Sequence, residues 1–201
     1  NEERLSDKID IFYRVHNGHI SENSNSAIDL AKGEWIALLD HDDLIREDSL
    51  VWVAKAIIDN PETLILYSDE DKLDKNNQRI QPYFKPDFNL ELLLGQNFFS
   101  HFGIYNKNLI NEIGGFRLGY EGSQDYDLVL RCLSKIKNHQ IKHIDKVLYH
   151  WRMHELSASL NKDAKSYAPL AAKNAIKDYL YRQGQNADVR ILNHGYRVVS
   201  K

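Results

Sequence analysis

A short apolar segment that runs directly into four polar residues constrains the fold more than any other feature of the sequence. Residues 35–39 are apolar and of strand length, and Asp40-His41-Asp42-Asp43 follows them without a break. A run of this kind is typical of a strand buried on both faces. In open α/β sheets, ligands bind beyond the carboxyl ends of the strands. The acidic tetrapeptide therefore stands where such a sheet would hold a ligand.

The neighbouring segments alternate between strand and helix signals. Residues 9–15 and 64–67 are rich in strand-forming side chains and predict strands. Residues 46–60 end before Pro61 and are predicted to form a helix, because their apolar side chains follow a helical stripe, namely Leu50, Val53, Ala54, Ile57 and Ile58. Residues 68–81 are polar and charged and are predicted to form a loop.

The C-terminal part continues this pattern. It predicts a helix over about residues 163–183 and a strand pair over residues 189–199, with its turn at Asn193-His194-Gly195. The apolar face of that helix consists of Ala172, Ala175, Ile176, Tyr179 and Leu180. The alternation predicts the α/β class, with a mostly parallel sheet flanked by helices.

The composition is that of a globular domain and excludes several other classes. With a net charge of -3, the chain has no polycationic character, so no nucleic acid partner is expected. Cys132 is the only cysteine, which rules out an intramolecular disulfide and favours a reducing compartment. No apolar run approaches the roughly 20 residues of a spanning helix. We therefore expect a cytoplasmic protein that is at most peripheral at the inner face of the membrane.

The acidic tetrapeptide has the chemistry of a cation site. Its three carboxylates repel one another, and no lysine or arginine is adjacent. Mg²⁺ takes such oxygen ligands together with substrate phosphates. Asp40 and Asp42 are therefore candidate metal ligands, and the metal would bridge the loop to a diphosphate. The alternative is a solvated acidic turn at the start of the helix over residues 46–60.

Asp125 is the candidate catalytic base. Ser123 is a candidate helix cap, which puts Asp125 in the first helical turn, on one face with Leu128, Val129 and Cys132. A carboxylate on an apolar face is costly without a partner or a purpose. Burial would raise the pKa of this carboxylate, and the helix N-terminus would lower it. It can therefore stay ionised and still accept a proton from a hydroxyl. The alternative is a first-turn Asp that only interacts with the helix dipole.

Two further polar segments have open interpretations. His150 and His154 would share one face of a helix, but no usual third zinc ligand is nearby, so one packed and one solvated histidine is the competing interpretation. Arg152 between them would suit a diphosphate. Asp69 and Asp71 belong either to an acidic binding loop or to a solvated loop.

Several of these segments, in order, carry a family resemblance. They are Asn25-Ser26-Ala27, Ala31-Lys32-Gly33-Glu34-Trp35, Ala37-Leu38-Leu39-Asp40-His41-Asp42-Asp43, Tyr67-Ser68-Asp69-Glu70-Asp71-Lys72, Phe84-Lys85-Pro86-Asp87, Gly114-Gly115-Phe116-Arg117, Glu121-Gly122-Ser123-Gln124-Asp125-Tyr126-Asp127-Leu128 and Leu148-Tyr149-His150-Trp151-Arg152. Together they resemble family 2 glycosyltransferases, most closely the rhamnosyltransferase-like group of the bacterial O-antigen, capsule and rhamnan type.

The resemblance implies a GT-A-type, Rossmann-like fold and a set of site residues. Asp40 and Asp42 match the D-x-D motif that holds Mg²⁺ or Mn²⁺ against the donor diphosphate. Asp125 matches the catalytic base. His150 or His154 matches a further metal or phosphate contact of some relatives. With the resemblance, we also assign Asn25 and Arg152 to the donor side, and Gln124, Asp69 and Asp71 to the acceptor side.

The family begins with two strands that this sequence lacks, and residues 9–15 match the third. We therefore expect residues 1–160 to be a catalytic domain without its N-terminal part. Residues 161–201 would form a helix and strand pair that lead to a further domain. The strand at residues 35–39 would then be an edge that either pairs with a second copy in a homodimer or is covered by residues 189–199.

The implied function is inverting transfer of a sugar from a nucleotide-sugar donor to a hydroxyl of a bacterial surface glycan or lipid-linked glycan. Two alternatives stay open. A metal-dependent nucleotidyltransferase would give Asp125 no role and should show a Gly- and Lys/Arg-rich triphosphate loop, which is not visible. A non-catalytic sugar-binding or assembly module would bind nucleotide sugar without turnover.

Overall fold

The computed structural model describes residues 9–153 and 167–200 as one α/β unit. The helices are α1 (His19–Leu30), α2 (Ser49–Asp59), α3 (Leu90–Gly95), α4 (Lys107–Glu112), α5 (Gln124–Cys132) and α6 (Ala168–Arg182), with a short 3₁₀ helix at Asn138–Gln140. The strands are β1 (Trp35–Ala37), β2 (Leu44–Ile45), β3 (Ile65–Leu73), β4 (Arg79–Tyr83), β5 (Gly103–Asn106), β6 (Ile141–Arg152), β7 (Ala187–Leu192) and β8 (Gly195–Ser200). The predicted α/β class is confirmed.

The central sheet has the strand order β1-β5-β3-β6-β2, and β4 pairs with the far part of β3. Among the described strands only β3 and β6 run parallel, while the other neighbours are antiparallel. The expectation of a mostly parallel sheet is therefore wrong in detail. A parallel pair needs a long crossover, and the short connection at residues 74–78 between β3 and β4 permits only a hairpin. Alternating strand and helix signals do not reveal strand direction.

Strand β3 extends through residues predicted to be a loop. Residues 68–73 continue this strand, and Asp69 and Asp71 are buried in it. Asp69 is hydrogen-bonded to His143 and Asp71 to His150, both on the adjacent β6. Charge in the sequence suggested solvent exposure, whereas cross-strand pairing makes burial tolerable.

The strand predicted at residues 9–15 does not form. This segment is irregular, and Ile11, Tyr13 and Val15 are exposed. A strand needs a neighbour for its backbone groups, and none of the described strands lies beside this segment. The strand predicted at residues 35–39 is confirmed but shorter, and β5 is its one neighbour among the described strands.

Helix α2 matches its prediction in position but not in orientation. Val53 is buried as expected, whereas Leu50 and Ile58 of the predicted apolar stripe are exposed. The helix instead packs Val53, with Trp52 and Ile57 beside it, against the sheet. Helical spacing identified the helix, but the sheet selects which face it covers.

The C-terminal helix and hairpin belong to the same core as the sheet. The predicted apolar face of α6 is buried, and Val189 of β7 is fully buried in the main core cluster. In the described part of the chain, β7 and β8 pair only with each other. The hairpin packs against α3 and α6. The prediction that it covers the edge of β1 is therefore wrong, and the homodimer stays a prediction.

A glycine stands where the hairpin meets α3. The backbones of Gly195 and Gly95 approach so closely that a Cβ on Gly195 would lie 2.4 Å from the carbonyl oxygen of Gly95. The absence of a side chain at Gly195 therefore permits the close packing of the hairpin on α3.

Across the described ranges, no helix combines the length and apolar character needed to cross a bilayer.

Candidate active site

A cleft of about 580 Å³ lies beside the C-terminal end of β1. Its size is typical of small-ligand sites. The polar side chains that line it come from distant segments and include Asp40, Ser100, His101, Gln124, Asp125 and Tyr149. The fold thus brings the predicted acidic loop and the predicted catalytic base to one cavity.

The acidic loop is held by the end of β6. Asp43 is buried, and its two carboxylate oxygens accept hydrogen bonds from the Tyr149 hydroxyl (2.5 Å) and the Arg152 backbone N–H (2.8 Å). The Arg152 guanidinium donates to the carbonyl oxygen of Asp42 at 2.9 Å. The Tyr149 hydroxyl also accepts the backbone N–H of Asp40 at 3.3 Å. Arg152, predicted on the donor side, therefore lies directly against the acidic loop.

Three side chains of this region are grouped closely enough to hold a cation. Asp40, Asp43 and His101 each offer one ligand atom, and these atoms lie within 4.8 Å of one another. Asp42 is outside this group in the part of the chain that the structure describes, and its carboxylate is 3.9 Å from Nδ1 of His41. Burial raises the pKa of Asp40; His101 opposes this, and the charges of Asp43, Asp42 and Asp125 add to it. A cation would relieve this crowding of negative charge.

His101 is held by a buried ion pair that sequence analysis did not identify. Its backbone N–H donates to the Glu70 carboxylate, and its Nδ1 lies 3.2 Å from the same oxygen, Oε2. The Lys85 ammonium is 3.3 Å from that oxygen and also donates to the carbonyl of His101. Burial lowers the pKa of Lys85 to about 8, against the opposing charge of Glu70. Burial also acts to lower the pKa of His101, but Glu70 and the carboxylates of the cleft raise it above its ordinary value.

Asp125 lies in the first turn of α5, as predicted, and lines the cleft. Its Oδ2 accepts hydrogen bonds from the Asn97 amide at 2.9 Å and from the Ser100 hydroxyl. Ser123 occupies the N-cap position, but its hydroxyl donates to the carbonyl of Ala168 and makes no cap bond. The neighbouring Gln124 lines the same cleft, where its Oε1 accepts the backbone N–H of Gly122.

Asp69 and Asp71, predicted on the acceptor side, are buried and partnered within the sheet. Asp69 accepts from His143 at 2.8 Å and from the Lys85 backbone at 2.9 Å. Asp71 contacts Nδ1 of His150 at 2.6 Å and accepts from Arg79. His150 is therefore paired with Asp71 and stands apart from the group around Asp40 in the described chain.

Asn25, predicted on the donor side, braces a turn. Its side-chain amide donates to the carbonyl oxygen of Phe116 and accepts the backbone N–H of the same residue. Gly115, next to Phe116, has a φ angle of +67°, and a Cβ there would lie 2.4 Å from Oδ1 of Asn25, so the turn favours glycine. His154 lies outside the described residues.

The side chains that sequence analysis missed had a signal of their own. Glu70 and Lys85 lie within two of the segments that carry the resemblance, although neither was assigned a role. His101 is a polar residue within the aromatic run Phe98-Phe99-Ser100-His101-Phe102. A titratable residue inside an apolar run requires a partner, and Glu70 is that partner.

The fold is the one that the resemblance implied, and one cleft is lined both by Asp40, after β1, and by Asp125, in the first turn of α5. The chain belongs to glycosyl transferase family 2, whose family model matches residues 2–119.

Two curated relatives illustrate the similarity. An uncharacterized protein, y4gI, of Sinorhizobium fredii is 46% identical over 175 residues, covering 87% of this chain and 19% of that protein. The O-antigen biosynthesis protein RfbC of Myxococcus xanthus is 31% identical over 172 residues, covering 86% of this chain and 13% of that protein. The chain therefore spans less than a fifth of the length of either relative.

The GT-A fold is confirmed by solved structures. TarS of S. aureus (residues 1–349) aligns with a TM-score of 0.58 at 15% identity, covering 100% of this chain and 82% of that chain. The mannosyltransferase PcManGT of Pyrobaculum calidifontis, solved with GDP-Man and Mn²⁺, aligns with a TM-score of 0.55 at 13% identity. The alignment covers 91% of this chain and 60% of that chain. At these identities the likeness shows the fold alone.

Proposed function

We propose that this chain carries the catalytic site of an inverting glycosyltransferase that moves a sugar from a nucleoside-diphosphate donor to a hydroxyl of a bacterial surface glycan. The observation that carries this proposal is that Asp40 and Asp125 line one cleft. Asp40 belongs to the group of side chains suited to a cation. Asp125 is oriented by hydrogen bonds from Asn97 and Ser100 to one of its oxygens, which leaves the other oxygen for a proton. The two halves of a transfer reaction therefore meet in a single cavity.

The donor half of the site centres on Asp40. Mg²⁺ or Mn²⁺ bound there would stabilise the negative charge that develops on the leaving diphosphate. The sequence motif makes Asp42 the second ligand, whereas the grouping of side chains favours Asp43. Arg152, which touches the backbone of this loop, is suited to a phosphate. The mannosyltransferase of similar fold, which was solved with GDP-Man and Mn²⁺, supports a donor and a cation of these kinds.

The acceptor half centres on Asp125. An acceptor hydroxyl attacks the anomeric carbon as the bond from that carbon to the diphosphate oxygen breaks, and Asp125 takes the hydroxyl proton. Asn97 and Ser100 both donate to Oδ2, so Oδ1 is the oxygen left for the incoming hydroxyl. A positioned base typically contributes roughly 10²- to 10⁴-fold to the rate. Attack from the side opposite the leaving group inverts the anomeric configuration.

The acceptor class rests on the relatives. The O-antigen biosynthesis protein of Myxococcus xanthus supports a surface glycan or a lipid-linked glycan as acceptor. Gln124 lines the cleft beside Asp125 and is suited to hydrogen-bond an acceptor hydroxyl. Asp69 and Asp71 are buried and already paired with histidines, so they would support the acceptor side from within the sheet and would not contact the acceptor directly.

The test is a transfer assay of the whole protein that contains this chain. A panel of nucleotide sugars is supplied with a glycan acceptor, with and without Mn²⁺, and the anomeric configuration of the product is read by NMR. We expect cation-dependent transfer with inversion. Release of pyrophosphate would instead indicate a nucleotidyltransferase. Binding of a nucleotide sugar without any product would indicate a binding module.

A further inference from the structure

We propose that His101 is a nitrogen ligand of the cation that Asp40 holds, and that Glu70 is the residue that positions its imidazole. The inference deepens the proposed function, on which it rests for the presence of a cation. Neither Glu70 nor His101 belongs to the acidic motif that first suggested a metal. The assignment comes from how the fold arranges these side chains around Asp40.

The hydrogen bonds of His101 determine which ring nitrogen is left for a ligand. Nδ1 lies 3.2 Å from Oε2 of Glu70, so the second nitrogen, Nε2, is the one that a bound ion would meet. A histidine that binds a metal almost always donates its other ring N–H to a carboxylate, a carbonyl or water, and that bond orients the ring. Glu70 supplies such a carboxylate, while the carboxylates of Asp40 and Asp43 supply oxygen ligands close by.

The ring of His101 is held firmly from its sides. It stacks on Tyr149 with ring centroids 4.8 Å apart and an interplanar angle of 12°, and Trp151 lies 5.7 Å away. Tyr149 also binds Asp43, so one side chain aligns both the imidazole and a carboxylate of the group. A metal site needs this kind of support, because ligand side chains that are not held in the binding geometry bind the ion more weakly.

Glu70 is itself held in place by a buried cation. The side chain of Lys85 is fully buried and lies 3.3 Å from Oε2 of Glu70. Lys85 also donates to the backbone carbonyl of His101, while Glu70 contacts the imidazole ring. The ion pair therefore holds both the backbone and the ring of His101 in place. Burial of the Glu70–Lys85 ion pair has a large desolvation cost, and the orientation of His101 is a function that accounts for it.

The resulting ligand set predicts which ion binds. Two carboxylates and one imidazole provide oxygen and nitrogen ligands. Mg²⁺ prefers oxygen ligands, whereas imidazole suits transition ions. We therefore expect Mn²⁺ to bind more tightly than Mg²⁺, and we expect the preference to depend on His101.

The experiment measures Mn²⁺ binding to the 201-residue chain by electron paramagnetic resonance, with Mn²⁺ as the only ligand. Electron spin-echo envelope modulation then reports whether a ¹⁴N nucleus is coordinated. The variants are His101→Asn, Glu70→Gln and Asp40→Asn. The matched control is His139→Asn, which removes an exposed imidazole at the opposite end of β6. Circular dichroism verifies that each variant is folded.

We expect nitrogen modulation in the unmodified chain and in His139→Asn, and none in His101→Asn. Glu70→Gln should weaken Mn²⁺ binding about 10- to 100-fold, the usual effect of losing the partner of a ligand histidine. Nitrogen modulation that persists in His101→Asn would overturn the inference, as would a folded unmodified chain that binds Mn²⁺ without nitrogen modulation or binds no Mn²⁺. If Asp40→Asn loses Mn²⁺ while His101→Asn keeps it unchanged, only this inference fails. If neither changes Mn²⁺ binding, the cation site of the proposed function fails as well.

Discussion

The hydroxyl of Tyr149 donates a hydrogen bond to the buried carboxylate of Asp43, and this bond joins the end of β6 to the acidic loop that follows β1. The two residues come from strand and loop segments far apart in the chain. Because the same hydroxyl accepts the backbone N–H of Asp40, one phenol holds both ends of the loop's turn.

Removal of this hydroxyl should loosen the loop. In Tyr149→Phe, an oxygen of buried Asp43 loses its partner, so we expect the free energy of unfolding to fall by about 1–3 kcal/mol in urea denaturation. Tyr181→Phe is the matched control, because Tyr181 is 84% exposed and its hydroxyl contributes little. Equal stability of the two variants would show that the bond does not support the loop.

Asp125→Asn should separate chemistry from binding. The change keeps the shape of the side chain and its contacts with Asn97 and Ser100, but it removes the basic oxygen. We expect turnover of the whole protein to fall roughly 10²- to 10⁴-fold. Donor binding, measured by calorimetry, should change little. Asp145→Asn, at an exposed carboxylate, serves as control. A loss of less than about tenfold would contradict the base assignment.

The two candidates for the second metal carboxylate can be distinguished by substitution. Asp40→Asn should abolish the Mn²⁺-dependent part of the turnover of the whole protein, because both the sequence motif and the geometry include Asp40. Asp42→Ala is expected to do the same if the motif identifies the second ligand. Full activity of Asp42→Ala, together with loss in Asp43→Asn, would assign that position to Asp43.

A buried ion network should make Asp127 essential for stability. Asp127 is fully buried and receives hydrogen bonds from Arg117 and Arg131. Asp127→Asn leaves Arg131 without its charge partner and leaves Arg117 paired with Asp178 alone, so we expect a loss of about 2–4 kcal/mol in the free energy of unfolding. Asp59→Asn breaks an exposed pair of the same i,i+4 spacing with Lys55 and should cost under about 1 kcal/mol. Comparable losses in the two variants would refute the role of burial.

The approach of the C-terminal hairpin to α3 should depend on Gly195. Both Gly195 and Gly184 have positive φ angles, but only at Gly195 would a Cβ meet another backbone, the carbonyl oxygen of Gly95 at 2.4 Å. Gly195→Ala should therefore lower the melting temperature by several degrees more than Gly184→Ala does. If the two melting temperatures agree, the hairpin can be displaced from α3 without loss.

The position of a helix or hairpin along the sequence was easier to predict than the elements that it contacts in the fold. Helical spacing located α2 and α6, and turn residues located the β7–β8 hairpin, because these signals are local. The same signals did not predict the extension of β3 through residues 68–73. Its two buried aspartates, Asp69 and Asp71, have hydrogen-bonding partners on β6, His143 and His150, that lie far away in the sequence. The absent strand at residues 9–15 has the same kind of cause, since a strand forms only where another can pair with it.

The sequence by itself determined the α/β class, the family, and the two carboxylates that line the cleft, Asp40 and Asp125. Each of these depends on residue type and order, which are properties of the chain. Tertiary structure decided the strand directions, the packing of the hairpin on α3, and the support of His101 by Glu70 and Lys85. These features depend on distances between segments that are remote in the chain, and such distances exist only after the chain has folded.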